Sequence, residues 1–134
     1  VIYQSPHLLN DRSVFDNVAL PLQIHGVPPA LIARRVHAAL DLVGLLSREK
    51  MLPIYLSAGE SQRVGIARAV VHKPALLLAD EPTGNLDPDL SAGIMKQLEL
   101  FHQAGMSILV ATHDLAFLAS VRQRVMILKA GQLC

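Results

Sequence analysis

The stretch ALLLADEPTGNLD, Ala75–Asp87, decides how this chain folds. Four apolar residues, Ala75 to Leu78, lead into Ala79 and then into two adjacent carboxylates, Asp80 and Glu81. A short apolar run ending in acids predicts a buried parallel strand that delivers charge to the carboxyl edge of a sheet. Open α/β sheets bind their ligands at that edge. Pro82, Gly84 and Asn85 then predict a turn. Asp87 followed by Pro88 predicts an N-cap with proline at the first helical position.

Side chains of successive strand residues point to opposite sides, so Asp80 and Glu81 need not share one ligand. One carboxylate can hold Mg²⁺, directly or through its water shell, because Mg²⁺ takes a few carboxylates and completes its shell with water and phosphate oxygens. The other can orient an attacking water or accept its proton. Acids at strand ends are also common as plainly solvated groups, so the pair alone does not define a site.

Downstream, Pro88–Gln103 predicts a helix whose Leu90, Ile94, Leu98 and Phe101 face the core, with Gly105 as its C-cap. Ser107–Ala111 predicts a second buried strand, which places His113 on the same sheet edge as Asp80 and Glu81. There an imidazole can bond a phosphate oxygen or hold a carboxylate and a water in line, although a lone histidine is more often structural. Leu115–Val121 predicts a short helix, Val125–Leu128 a final strand and Lys129–Gln132 a turn. Alternation of strand and helix implies parallel crossovers.

Upstream, Val1–Tyr3 reads as the end of a strand. Gln4 follows it, with an amide oxygen that could reach Mg²⁺ or its water shell, before Ser5-Pro6 stops regular structure. Ser13 and Asp16 form an imperfect capping box. Pro21 is expected to interrupt that segment, and Gly26-Val27-Pro28-Pro29 to break it. A helix is predicted from about Ala30 to Val43, with Leu31, Ile32, Val36, Ala39, Leu40 and Val43 on one face and Gly44 as its stop. Ser57 and Glu60 make a capping box that opens a helix reaching about His72. Its start carries unpaired N–H groups and partial positive charge, which suits phosphate. The missing side chain of Gly59 would let an anion approach the backbone. An ordinary well-capped helix would have the same sequence.

The 134 residues suffice for one domain with a real core. Apolar content of 51% against 17% charged argues for a folded chain, and a net charge of +1 gives no support to a nucleic-acid surface. Cys134 is the only cysteine, which excludes an internal disulfide framework. No apolar run approaches a membrane span. The sequence opens without methionine in mid-strand and closes after a turn, so it is expected to be part of a longer chain.

Taken in order, these features resemble the nucleotide-binding domain of ABC ATPases. Gln4 resembles the Q-loop, and Leu56-Ser57-Ala58-Gly59-Glu60 the LSGGQ-type signature. Leu76–Glu81 resembles Walker B with its following glutamate, Asn85-Leu86-Asp87 the D-loop, and His113 the switch histidine. Within the family, HLLNDRSVFDNVALPL and RVGIARAVVHKPALLLADEPTGNLD look most like the cell-division branch. Lipoprotein-release and macrolide-export ATPases share much of DEPTGNLD.

The resemblance implies an α/β P-loop NTPase fold, here its C-terminal portion. Residues 1–4 would end a core strand, residues 5–74 would form a helical subdomain, and residues 75–134 would complete half of the parallel-sheet core. It implies ATP and Mg²⁺ as ligands, with Asp80 and Gln4 serving the metal, Glu81 activating water and His113 positioning the γ-phosphate. Ser57, Ala58, Gly59 and Glu60 would face ATP held mainly by the other subunit of a homodimer, with Asp87 linking the two sites. The segment after Gln4 would dock on an integral membrane permease at the inner face of a bacterial membrane.

Three departures stand out. Ala58 replaces a glycine, Ser61 replaces a glutamine, and no G-x-x-x-x-G-K-[ST] loop occurs in these residues; the aromatic residue that stacks on adenine is missing as well. On its own the chain is therefore expected to be inactive and to expose apolar surface. A second reading is a catalytically silent module that docks on a membrane protein or another ATPase domain. A chromosome-type ABC ATPase would need a coiled-coil insertion between Gln4 and Ser57, where no heptad run occurs.

Overall fold

The computed structural model describes residues 1–84 and 86–134, so Asn85, assigned above to the turn and the D-loop, lies outside the described residues. In chain order the α-helices and strands are α1 (Val14–Ile24), α2 (Pro29–Leu42), α3 (Ala58–Val70), β1 (Leu76–Asp80), α4 (Pro88–Gln103), β2 (Ser107–Ala111), α5 (Leu115–Ser120), β3 (Leu128–Lys129) and β4 (Gln132–Leu133). Short 3₁₀ turns at Leu46–Arg48 and Pro53–Tyr55 join α2 to α3.

β1 and β2 run parallel, with Leu76 opposite Ser107 and Asp80 opposite Ala111. α4 is the crossover between them. Its start follows local chemistry: Asp87 accepts from the Leu90 amide at 2.9 Å, and Pro88 needs no donor at the first turn. Ile2 bridges to Ala79 in the parallel sense on the other side of β1, with Ile2 N donating to Leu78 O at 2.7 Å and Asp80 N to Ile2 O at 2.8 Å. β1 is therefore central, and the chain leaves Ile2 toward Gln4 at the edge where Asp80 and Glu81 end β1.

One face of this sheet is covered. Leu77 and Ala79 are buried in one core with Ile94, Leu98 and Phe101 of α4, and Ile108 and Val110 pack against it. The other face is open, with Leu76, Leu78 and Leu109 being 55%, 39% and 49% exposed. The expectation of two buried strands holds for one face only: exposure alternates along each strand, because no described element packs on the second face. The expected exposed apolar surface is this face.

The helices α1, α2 and α3 pack on one another. Val14, Val18 and Leu22 of α1, Ile32, Val36 and Leu40 of α2, and Val64, Ile66 and Ala67 of α3 are buried where their helical spacing puts them. Pro21 does not interrupt the first helix but sits inside it. Only the bond toward Asn17 is forfeited, the apolar stripe lies on other positions, and His25 closes the last turn by donating its amide to Pro21 O at 3.1 Å.

A buried asparagine organises the loop between Gln4 and α1. Asn17 Oδ1 accepts from Leu9 N at 2.8 Å, and Nδ2 donates to Leu9 O, Arg12 O and Ser13 O at 3.0–3.1 Å. Asn17→Leu leaves the Leu9 amide and the Arg12 carbonyl without this partner, while Leu9 O and Ser13 O keep bonds from the backbone amides of Arg12 and residue 17. In urea unfolding of the full-length protein the variant is expected to lose roughly 2–4 kcal/mol. A loss below about 1 kcal/mol, within the range of surface changes, would show that the loop is held by other contacts.

Two further expectations change. Leu90 is exposed rather than core, since it lies over the first turn of α3. The final strand is not Val125–Leu128. Pairing is confined to a hairpin, β3 against β4, turned by Ala130 and Gly131 at φ of 51° and 78°. Two successive positive φ values match the tight turn that joins antiparallel strands, and Gly131 adopts one at no steric cost.

Candidate functional site

The carboxyl ends of β1 and β2 meet at Glu81. Its amide donates to Ala111 O at 2.8 Å, and its backbone is held at φ 45°. A positive φ at a non-glycine residue is rare and here turns the side chain out of the strand's alternation. The carboxylate lands on the segment that follows β2. Oε1 accepts from the His113 amide at 2.9 Å and lies 2.5 Å from His113 Nδ1, while Oε2 accepts from Thr112 Oγ1 at 2.9 Å.

Partial burial of the Glu81 carboxyl pushes its pKa up, but the hydrogen bonds from His113 and Thr112 and the His113 charge outweigh this, so it lies below the usual carboxylate range. The Glu81 hydrogen bond, then its charge, raises His113. The sign of each contribution follows. The His113 part is complete below the unfolded value of 6.5 and lost as pH rises through the raised one. The Glu81 part is complete above 4.5 and lost as pH falls through the lowered one. The pair is strongest between those values. In NMR titration of the full-length protein, His113 is expected to titrate above 6.5 and to fall back toward it in Glu81→Gln. An unchanged midpoint in the variant would break the link.

Gln4 reaches the same edge from the other side of β1. Its side chain lies against Gly84, where an added Cβ would come within 2.7 Å of Gln4 Nε2. A side chain at position 84 would therefore have to displace the end of the Gln4 side chain. Asp80 is exposed at the end of β1.

The start of α3 carries the predicted capping box in full: Glu60 N donates to Ser57 Oγ at 3.1 Å, and Ser57 N donates to Glu60 Oε1 at 3.0 Å. The Ser57 amide, then the Ser57 hydroxyl and the charges of Arg48 and Arg63, outweigh burial and hold Glu60 below the usual carboxylate range. Ser57 and Ala58 are exposed, whereas Gly59 is buried. A Cβ on Gly59 would come within 3.0 Å of Leu90 Cδ1. Glycine thus lets α3 pack closely on Leu90, whose side-chain end would have to give way to a Cβ. Asp87 serves α4 as its N-cap.

The sequence reading assigned no role to Gln62 or Thr112. Gln62 is buried and donates through Nε2 to Tyr3 O and Pro82 O, both at 3.0 Å. One amide on α3 thus ties together the backbones beside Gln4 and beside Glu81. The signal was available: Gln62 shares a helical stripe with Ile66 and Ala69, and a polar residue on an apolar stripe needs buried partners. Arg68 straps the segment after Gln4 to α3 by donating to Pro6 O and His7 O.

No group of three or more His, Cys, Asp or Glu side chains able to hold a metal occurs among the described residues. The metal donors that the edge offers are the hard oxygens of the Asp80 carboxylate and the Gln4 amide, while the Glu81 carboxylate is engaged by Thr112 and His113. That set fits Mg²⁺, which takes most of its shell from water and phosphate, and does not fit a metal caged by protein alone.

Parallel strands joined by a helical crossover, with two carboxylates, a glutamine and a histidine at their carboxyl edge, make an α/β protein, and its match to the ABC transporter family places it in the P-loop NTPase class. Residues 1–84 match the ABC transporter family, and the chain belongs to it. It is 56% identical over 133 residues to the cell division ATP-binding protein FtsE of Escherichia coli K12, covering 99% of this chain and 60% of that protein. It is 48% identical over 132 residues to FtsE of Mycobacterium tuberculosis, covering 98% of this chain and 57% of that protein. The chain thus spans about three fifths of the length of these relatives. The structure of cbiO1 from Clostridium perfringens, described as part of the ABC transporter complex cbiONQ, superposes with a TM-score of 0.77 at 35% identity, over 84% of this chain and 46% of that one.

Proposed function

We propose that the full-length protein is the ATP-hydrolysing subunit of an ABC-type membrane complex, acting as FtsE does in cell division and pairing with an FtsX-like permease. The observation that carries this reading is the Glu81 carboxylate, held ionised by Thr112 and His113 at the carboxyl edge of β1 and β2. Likeness to FtsE across 99% of this chain supports the cell-division assignment.

In this reading Glu81 takes a proton from the attacking water. Asp80 and the Gln4 amide hold Mg²⁺, which would offset charge on the phosphate oxygens. His113 keeps its Nε2 for the γ-phosphate while Nδ1 is engaged by Glu81. Ser57 and Ala58 present the exposed start of α3 to nucleotide held by the second subunit of a homodimer, and Glu60 and Gly59 shape that start. Asp87 connects the two sites. Residues 5–74 form the subdomain that meets the permease, and Gln62 and Arg68 join its movement to the sheet edge. No helix among the described residues is long and apolar enough to cross a membrane.

The decisive experiment is ATP turnover by the full-length protein and by its Glu81→Gln variant, together with co-purification of the permease. A parent that binds the permease but hydrolyses no ATP would favour the silent docking module.

A further inference from the structure

Thr112 sits between β2 and the Asp114 cap of α5. Its Oγ1 lies 2.9 Å from Glu81 Oε2 and 3.1 Å from the Asp114 amide nitrogen. The amide can only donate, so the hydroxyl accepts from Asp114 and its own proton is directed at Glu81. A carboxylate offers about four lone-pair positions. The His113 amide and Nδ1 converge on Oε1, and Thr112 takes one position on Oε2. A single position remains, and it is on Oε2.

We infer that Thr112 is a positioning residue that fixes the Glu81 carboxylate so that one lone pair of Oε2, and no other, is left to meet the attacking water. The inference rests on Glu81 acting as the base. In that step the water's O–H bond breaks and its proton goes to Oε2. The water oxygen's electron pair forms the new P–O bond, and the pair of the broken bridging bond leaves with ADP. Without the hydroxyl, Oε2 has two equivalent open positions and the carboxylate can rotate about its end, so the water is met in poor alignment.

The test uses the full-length protein with its permease. Thr112→Val keeps the shape and removes the donor; Thr112→Ser keeps the donor. Thr112→Val is expected to lower kcat about 10-fold or more, equivalent to the loss of one aligned hydrogen bond, with little change in KM for ATP. Thr112→Ser is expected to restore most of it. A second readout needs no nucleotide. In NMR spectra the Asp114 amide is expected to move upfield and exchange faster in Thr112→Val, and to stay in place in Thr112→Ser. Parental kcat in Thr112→Val, or equal loss in the serine and valine variants, would overturn the inference. If Thr112→Val does not fold, Thr112→Ala replaces it, since it too removes the donor, and parental kcat there overturns the inference equally. Glu81→Gln separates the two levels. Turnover surviving in that variant removes Glu81 as the base, on which the inference rests, whereas an inactive Glu81→Gln beside a normal Thr112→Val overturns only the role of Thr112.

Discussion

Glu81→Gln in the full-length protein is expected to reduce ATP turnover by roughly 10²–10⁴-fold, the range for loss of a positioned general base, while leaving ATP binding intact. The amide matches the carboxylate in shape and can still accept from the His113 amide. It carries no charge and has no oxygen free to take a proton once that bond is made. Asp80, the Gln4 amide and the start of α3 are untouched, so nucleotide and Mg²⁺ are still held. On the proposed homodimeric reading, the two subunits are therefore expected to close on ATP and to stay closed, since hydrolysis would be the step that reopens them. Turnover, a fluorescent-nucleotide titration and gel filtration with ATP read these effects separately. Equal hydrolysis by variant and parent would remove Glu81 from its role, and lost ATP binding would turn the carboxylate into a structural group.

The 134-residue chain by itself is expected to show no micromolar ATP site when titrated with labelled nucleotide and Mg²⁺. A dissociation constant of about 1 μM corresponds to about 8 kcal/mol. A capped helix start contributes on the order of 0.3–1 kcal/mol toward an anion, and up to about 2 kcal/mol in a partly buried geometry. Hard oxygens at the sheet edge add a metal contact that itself depends on phosphate. The glycine-rich loop and its lysine, which ordinarily supply the rest, do not occur in these residues. The shortfall is several kcal/mol, which puts binding in the millimolar range or weaker. Micromolar binding would require a phosphate cradle that this sequence does not spell.

Much of the site was legible because it rests on local rules. The apolar run ending in Asp80-Glu81 and the second one ending before His113 predict two parallel strands whose ends coincide. Ser57 with Glu60, and Asp87 with Pro88, are capping patterns readable within four residues. Leu90 misled because its spacing fits the core face of α4, and only its place over Gly59 shows that it seals the junction of two helices instead. Pro21 misled because a proline normally ends a helix, whereas here packing of Val14, Val18 and Leu22 outweighs one missing hydrogen bond.

The residues alone placed two acids and a histidine at the sheet edge and determined the order of its elements and the capped start of α3, since these follow from hydrophobic period, charge placement and caps. Only the assembled fold decided which lone pairs of Glu81 are taken, and by which donors. It also decided that Gln62 reaches two backbones at once and that one face of the sheet stands open. Those facts depend on side chains far apart in the chain converging within hydrogen-bond range, and such convergence leaves no periodic trace in a sequence.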